Sequence, residues 1–278
     1  MKSVLLTIPL GLVVSHGAAL AQEPPKPPKV LSIYREQVKP GRGGAHEKNE
    51  TAWAQAFAKA NAPSHYIAMT SVTGPSEAWF LEARDNFASL QANDEAIEAN
   101  AALSAEIDAI SARDGELLEA STHIVARYRE ELSYRADSAI PKMRYFSVRT
   151  VRVKPGHGND FESASRLIND THEKTNMDEH WAVYEVVSGA PDGTYLIFQP
   201  MESLSDLDAL SELHGKEFRE SVGEDNRDRL RNLTRDGVEY SRGQIFRFNP
   251  KMSNPTKEFI AGDPEFWTPK ADAGKKKQ

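Results

Sequence analysis

Two histidines are the side chains best suited to proton transfer or metal ligation. Each is followed by a large aromatic: His65-Tyr66 and, 115 residues later, His180-Trp181. An imidazole titrates near neutral pH and can serve as acid, base or ligand. It can also cap a strand end by hydrogen bonding, so His65 and His180 are candidate catalytic residues beside a structural alternative. Trp53, Tyr66, Trp79, Trp181 and Tyr195 are candidates to line a ligand pocket, with Tyr34 and Arg84 adding polar contacts. Large aromatics at strand and helix periods also build ordinary cores.

Other chemistry has less support. His46 and His172 fall on helix-like stretches but do not align with each other, His157 sits in a turn, and His123 and His214 have no counterparts. There is no HExxH, paired CxxC or carboxylate-rich metal loop, so no metal and no cofactor are expected, although a site assembled from distant strands leaves no such local pattern. The chain has no cysteine and no G-x-S-x-G elbow, so nucleophilic catalysis has little support, serine being common but unplaced. Acidic pairs such as Glu130-Glu131 read as solvated faces. The turns "VKPGRGG" from Val38 and "VKPGHGN" from Val153 resemble phosphate loops. The third position of a G-x-G-x-x-G fingerprint, however, is His46 in one and Phe161 in the other, so they read as strand-to-helix turns in which glycine admits positive φ.

Composition narrows the setting. Lys2, the apolar run Val4 to Val14 and the small-x-small Ala19-Leu20-Ala21 form the three parts of a secretory leader over 1–21. The expected product is exported, periplasmic or secreted, without a membrane anchor after cleavage. Residues 22–29 are a proline-rich linker. With Lys+Arg 34 against Asp+Glu 41 the net charge is −7, which argues against nucleic acid or anionic lipid as partner. A small-molecule ligand and a homo-oligomer remain as partners. An exported chain with Cys 0 must be held by packing alone.

The elements that must position these residues occur twice. At the offset of 115, Lys39-Pro40-Gly41 meets Lys154-Pro155-Gly156 and Glu47 meets Glu162, and Trp79-Phe80-Leu81 meets Tyr195-Leu196-Ile197 one residue later. Apolar periodicity predicts strand, helix, strand, strand, helix, strand in each half. In the first half the strand Val30 to Val38 and the helix Gly43 to Asn61 come first. A hairpin split at Gly74-Pro75, a helical region from about Phe87 to Leu118 and a strand over Thr122 to Tyr134 follow. In the second half the helix after the hairpin is expected over Leu204 to Leu233, with Ser203 and Asp206 at its N-cap. Units over 30–140 and 141–250 follow, with a tail over 251–278 whose Phe259, Ile260, Phe266 and Trp267 imply a strap or a partner contact.

βαββαβ is the ferredoxin-like unit, whose open sheet face needs a partner. The expected fold is therefore α+β, two tandem ferredoxin-like units packed sheet to sheet as an internal pseudo-dimer. The duplicated order, with "VKPG" leading into "HEKNETAW" or "FESASRL", resembles the dimeric α/β-barrel superfamily in its NIPSNAP-like and antibiotic-biosynthesis-monooxygenase-like branches, over about Val30 to Asn249. That resemblance implies a pocket between sheet and helices. It also implies activities ranging from cofactor-independent oxidation of aromatic polyketides to haem binding or degradation, without transferring any residue. Three functions stay open: an exported small-molecule-binding or stress-related module, a cofactor-independent monooxygenase-like enzyme acting on an aromatic or haem-like molecule, and a structural assembly module.

Overall fold

The computed structural model describes residues 26–208 and 217–269. The leader and the start of the linker lie outside the described residues, as do 209–216 within the helix expected after Ser203 and the tail from 270. The first half runs β1 (Val30–Val38), α1 (Gly43–Ala60), β2 (Tyr66–Ser71), β3 (Glu77–Arg84), α2 (Ala88–Glu98), α3 (Ala101–Leu117) and β4 (Leu118–Tyr128). The second runs β5 (Tyr145–Val153), α4 (Gly158–Thr175), β6 (Ala182–Ser188), β7 (Thr194–Met201), α5 (Glu217–Val222), α6 (Glu224–Gly237) and β8 (Val238–Phe248). Two short helices, α7 (Lys257–Ala261) and α8 (Pro264–Trp267), end the described chain.

The eight strands form one closed antiparallel barrel in the order β1-β3-β2-β8-β5-β7-β6-β4. Sheet-to-sheet packing was expected; instead the two half-sheets join edge to edge through short β2–β8 and β4–β6 seams. Closure is the physical reason: it pairs strand edges that two stacked open sheets would leave unsatisfied. Every strand sends alternate side chains inward, among them Ile33, Met69, Trp79, Ile124, Val148, Val186, Leu196 and Phe246, which make the main core. The opposite faces meet helices. In the first half Tyr66, Ala68, Ala78 and Phe80 pack under Ala56 and Phe57 of α1 and Leu103 and Ile110 of α3. Coverage of both faces explains why β3 reads as a nearly continuous apolar run.

The two halves use the same local devices. β1 and β5, and α1 and α4, begin and end 115 residues apart. Both helices stop at an asparagine in the left-handed region, Asn61 (φ 48°) and Asn176 (φ 49°). Gly41 and Gly156 take φ of 77° and 86° in the repeated turn, the conformation for which glycine is preferred. The turn's lysine reaches the end of a distant helix in both halves. Lys39 Nζ donates to the Gly115 and Glu116 carbonyls, and Lys154 Nζ to those of Arg235 and Asp236. A cation thus meets the last carbonyls of α3 and α6, where the helix dipole is negative.

Some boundaries differ from those predicted. The helical region from Phe87 to Leu118 is two helices, because Asn100 leaves helical geometry and its side chain accepts from the Leu103 amide at 3.1 Å; asparagine competes with the backbone and favours caps. The strand expected over Thr122 to Tyr134 begins earlier, at Leu118, and ends at Tyr128; Tyr134 makes only a bridge to Trp181. At Ser203 the capping runs the other way from the expectation. The Asp206 carboxylate accepts from the Glu202 and Ser203 amides and from the Ser203 hydroxyl. The C-terminal aromatics pack as a strap: Trp267 is 2% exposed within the barrel core and donates from its indole to the Pro141 carbonyl at 2.7 Å. Arg144 lies 4.0 Å over Phe266 and pairs with Asp263.

Candidate functional site

Helix α1 turns an inward stripe of His46, Asn49, Glu50, Trp53 and Phe57 toward the sheet, the i, i+3, i+4 spacing of a core-facing surface. Its first two turns are polar where an amphipathic helix is ordinarily apolar. Opposite them stand Glu36 on β1, whose side chain points to the helix layer, and Asp114 near the end of α3. His46 and Glu50 are 2% and 4% exposed and Asp114 is buried as well.

These groups form one connected cluster. His46 Nε2 lies 2.7 Å from Glu36 Oε2 and 3.9 Å from Glu50 Oε1. The Glu50 carboxyl lies against that of Asp114. Asp114 accepts from Asn49 Nδ2 and, at 3.0 Å, from the Trp53 indole, while Arg113 donates to Asn49 Oδ1 at 2.8 Å. Burial, then the charges of Glu36 and Asp114, push the Glu50 carboxyl up to about 10. Tyr66 packs edge-on to Phe57 and Phe80, and its hydroxyl is raised well above the ordinary phenol range by burial and by Glu50, Glu82 and Glu36. One ligand atom from each of Glu36, His46 and Glu50 lies within 4.8 Å of the others.

A cavity of about 240 Å³ opens beside His46, lined also by Glu47, Thr70, Ser71, Glu77 and Asn249. Its walls are held in place: Asn249 donates to Glu47 at 2.9 Å, the Trp79 indole donates to Glu77 at 2.9 Å, and Arg35 stacks 4.3 Å over the Trp79 ring. A second cavity of about 350 Å³ lies between α1 and the C-terminal strap, against Ala54, Ala58, Pro255, Ile260 and Trp267.

The structure separates the residues singled out from sequence. Trp53 and Tyr66 reach the acid cluster. Tyr34, half exposed, stacks on His123 with ring centroids 4.2 Å apart, and burial with Glu82 and Asp94 pushes its phenol up to about 12. Trp79 lies inside the barrel, and Arg84 pairs with Glu82 at 2.8 Å. Trp181 donates to the Leu132 carbonyl and Tyr195 packs on Phe161, both in the second half. His65 and His180 lie at the starts of β2 and β6, where each ring Nδ1 contacts a carbonyl, Asn254 at 3.2 Å and Arg135 at 2.7 Å. Neither takes part in the acid cluster's hydrogen bonds, and His180 pairs instead with Asp178 at 3.2 Å.

Sequence reasoning set His46 aside and did not single out Glu36, Asn49, Glu50 or Asp114. His46 and Glu50 at i, i+4 on a core-facing stripe were the available signal. The partners on β1 and α3 are distant in sequence, so no local motif announces them. The same stripe in α4 makes a control. At the offset of 115, Glu36, His46, Asn49, Glu50 and Trp53 correspond to Val151, Phe161, Ala164, Ser165 and Ile168. Val151 and Phe161 there pack with Val153, Val183 and Tyr195 as apolar core. The fold therefore does not require the polar cluster.

No protein-family model and no curated protein sequence matches the chain. Solved structures match over most of its length. An anthrone oxidase-like protein superposes with a TM-score of 0.52 at 10% identity, covering 80% of this chain and 92% of that one. A monooxygenase-like protein from Lactobacillus acidophilus NCFM gives 0.48 at 8% identity, covering 79% and 93%. A chlorite dismutase variant from Candidatus Nitrospira defluvii, in complex with cyanide, gives 0.46 at 10%, covering 81% and 92%. At such identities the likeness speaks for architecture alone: the chain shares its overall fold with the anthrone oxidase-like protein, and its own sheet is a closed eight-stranded antiparallel barrel in an α+β fold.

Proposed function

We propose that the protein binds a small polar molecule in the cavity beside His46, with the Glu36–His46 pair as its recognition group. The observation that carries this reading is the contrast between halves: Glu36, His46 and Asn49 are polar where the second half has apolar Val151, Phe161 and Ala164, and buried Glu50 is matched there only by a serine, Ser165. Buried polar clusters are costly unless satisfied, and one the fold can dispense with is retained for another purpose. A volume of about 240 Å³ is below the ~300–1,000 Å³ of sites for drug-sized ligands, so the ligand is smaller than a haem or a polycyclic aromatic. The hydrogen-bonded imidazole and carboxylate also favour a second reading, an enzyme that moves a proton on that ligand without a cofactor.

The test is a thermal-shift panel of small hydroxylated, amino and phenolic compounds on the mature protein in EDTA. A ligand is expected to raise the melting temperature, and His46→Ala should abolish that shift while Phe161→Leu in the second half leaves it. No shift across the panel, or a shift that His46→Ala retains, overturns the reading. Product formation from the bound compound decides between module and enzyme.

Two further features belong to the same proposal. The chain is a tandem duplication of a ferredoxin-like unit, supported by the matched bounds of β1 with β5 and α1 with α4, by the twin asparagine caps and by the twin lysine contacts. It is exported to the periplasm or the medium, on the strength of the leader pattern over 1–21. N-terminal sequencing of the mature protein should begin at Gln22; a chain retaining Met1 in the cytoplasm excludes export.

A further inference from the structure

We propose that Glu36, His46 and Glu50 bind a first-row divalent cation beside the cavity, which His46 borders. The inference deepens the ligand-binding reading by naming an occupant of the same site. Its geometry comes first. Bonds of ~2.0–2.2 Å to nitrogen and oxygen put neighbouring donors in a tetrahedral or octahedral shell roughly 3.0–3.5 Å apart. His46 Nε2 stands 2.7 Å from one carboxylate oxygen and 3.9 Å from the other, values that straddle this spacing. A rotation of Glu36 away from its hydrogen bond opens the required gap. The tautomer with its proton on Nδ1 presents the Nε2 lone pair to the ion. One imidazole with two carboxylates suits zinc, manganese or ferrous iron.

Two other observations point to a cation. Glu50 Oε1 has no hydrogen-bond partner although the residue is 4% exposed, and the atom faces His46 Nε2. A buried acceptor left unsatisfied is unfavourable, and an ion would complete it. The charge balance agrees. Among the described residues no lysine or arginine lies within ion-pair distance of Glu36, Glu50 or Asp114, and Arg113 reaches only the Asn49 amide oxygen. Asp114, fixed by Asn49 and Trp53, sits behind Glu50 as the supporting group that holds a ligating carboxylate in place. The Glu36 side chain is 13% exposed and His46 borders the cavity, so an ion has a route in. In the second half Val151, Phe161 and Ser165 cannot form this site, and one ion per chain is the stoichiometry.

The experiment titrates the EDTA-stripped, dialysed mature protein with Mn²⁺, followed by loss of the free-ion EPR signal, and with Zn²⁺ by calorimetry, with no organic compound present. One equivalent with micromolar affinity is expected. Glu50→Gln and His46→Gln should each weaken it at least tenfold, and Glu162→Gln, on the matching helix of the second half, should not. Glu50→Gln keeps the side chain's shape and takes one carboxyl out of a crowded buried cluster, so its melting temperature in EDTA, expected at or above that of the parent, separates a lost ligand from a lost fold. Should His46→Gln fail to fold, the Glu50→Gln titration decides. Absence of binding tighter than millimolar, or binding unchanged by Glu50→Gln, overturns the cation. A compound that shifts the melting temperature in EDTA while metal fails leaves the cavity reading intact, and metal binding without any organic ligand does the reverse.

Discussion

At the scale of single residues, Glu50 is the side chain whose surroundings suit it least: buried, beside two other carboxylates, with one oxygen unsatisfied. Raised to about 10, the carboxyl takes up a proton on folding, a cost that grows as pH rises above its unfolded value near 4.5 and that glutamine, of the same volume, does not carry. In metal-free buffer at pH 7 Glu50→Gln should therefore stabilise the protein by about 1–3 kcal/mol, as measured by urea unfolding. A destabilised variant would mean that the cluster holds itself together without help. Arg129 is the opposite case. It contacts Glu131, Glu162 and Glu185 within 2.6–2.8 Å. For Glu185, burial raises the carboxyl, but hydrogen bonds and charge from Arg127 and Arg129 outweigh it and hold it below the ordinary range; the balance for Glu131 is similar. A carboxylate lowered by folding contributes stability that is present above its unfolded value near 4.5 and lost as pH falls through the folded one. Arg129→Met should lower stability at pH 7 and flatten its acid dependence below about pH 5, read from unfolding midpoints across pH.

At the scale of elements, the repeated "VKPG" turn illustrates what a sequence can disclose. Proline, glycine and the flanking strand and helix were legible, because backbone geometry restricts which residues can stand there. The lysine's contact with a helix end some 80 residues away was not, because it depends on tertiary placement. Gly41 has open space where a Cβ would project but a φ of 77°, so Gly41→Ala tests conformation alone. It should cost about 1 kcal/mol, measured by thermal unfolding. Asn100 makes the complementary case, since an alanine-rich run hides a helix start that one amide oxygen enforces; Asn100→Ala should cost about 1 kcal/mol. The candidate site was legible only in part. Trp53 and Tyr66 stood out as aromatics, whereas Glu36 and Asp114 look like any surface acids until β1 and α3 are brought to α1.

At the scale of the whole molecule, α+β class and the repeated order of elements followed from periodicity, and barrel closure did not. Pattern shows which face of a strand is apolar but not which edges meet, and the two seams pair segments far apart in the chain. The strap depends on the same three-dimensional fit. Trp267 is buried against Phe248 and Phe259, and Trp267→Ala should cost about 3–5 kcal/mol, a loss comparable with that of a central core residue. A cost below 1 kcal/mol would show that the strap rests on the barrel without supporting it.

Closure by β8 also sets the order of events in synthesis. The seam joins Met69–Ser71 to Phe246–Phe248, so the ring cannot form until nearly all of the 278 residues have left the ribosome. Contacts so remote in sequence form late. A nascent chain therefore stays open until its last strand emerges, the threadable state that the export proposed above would require.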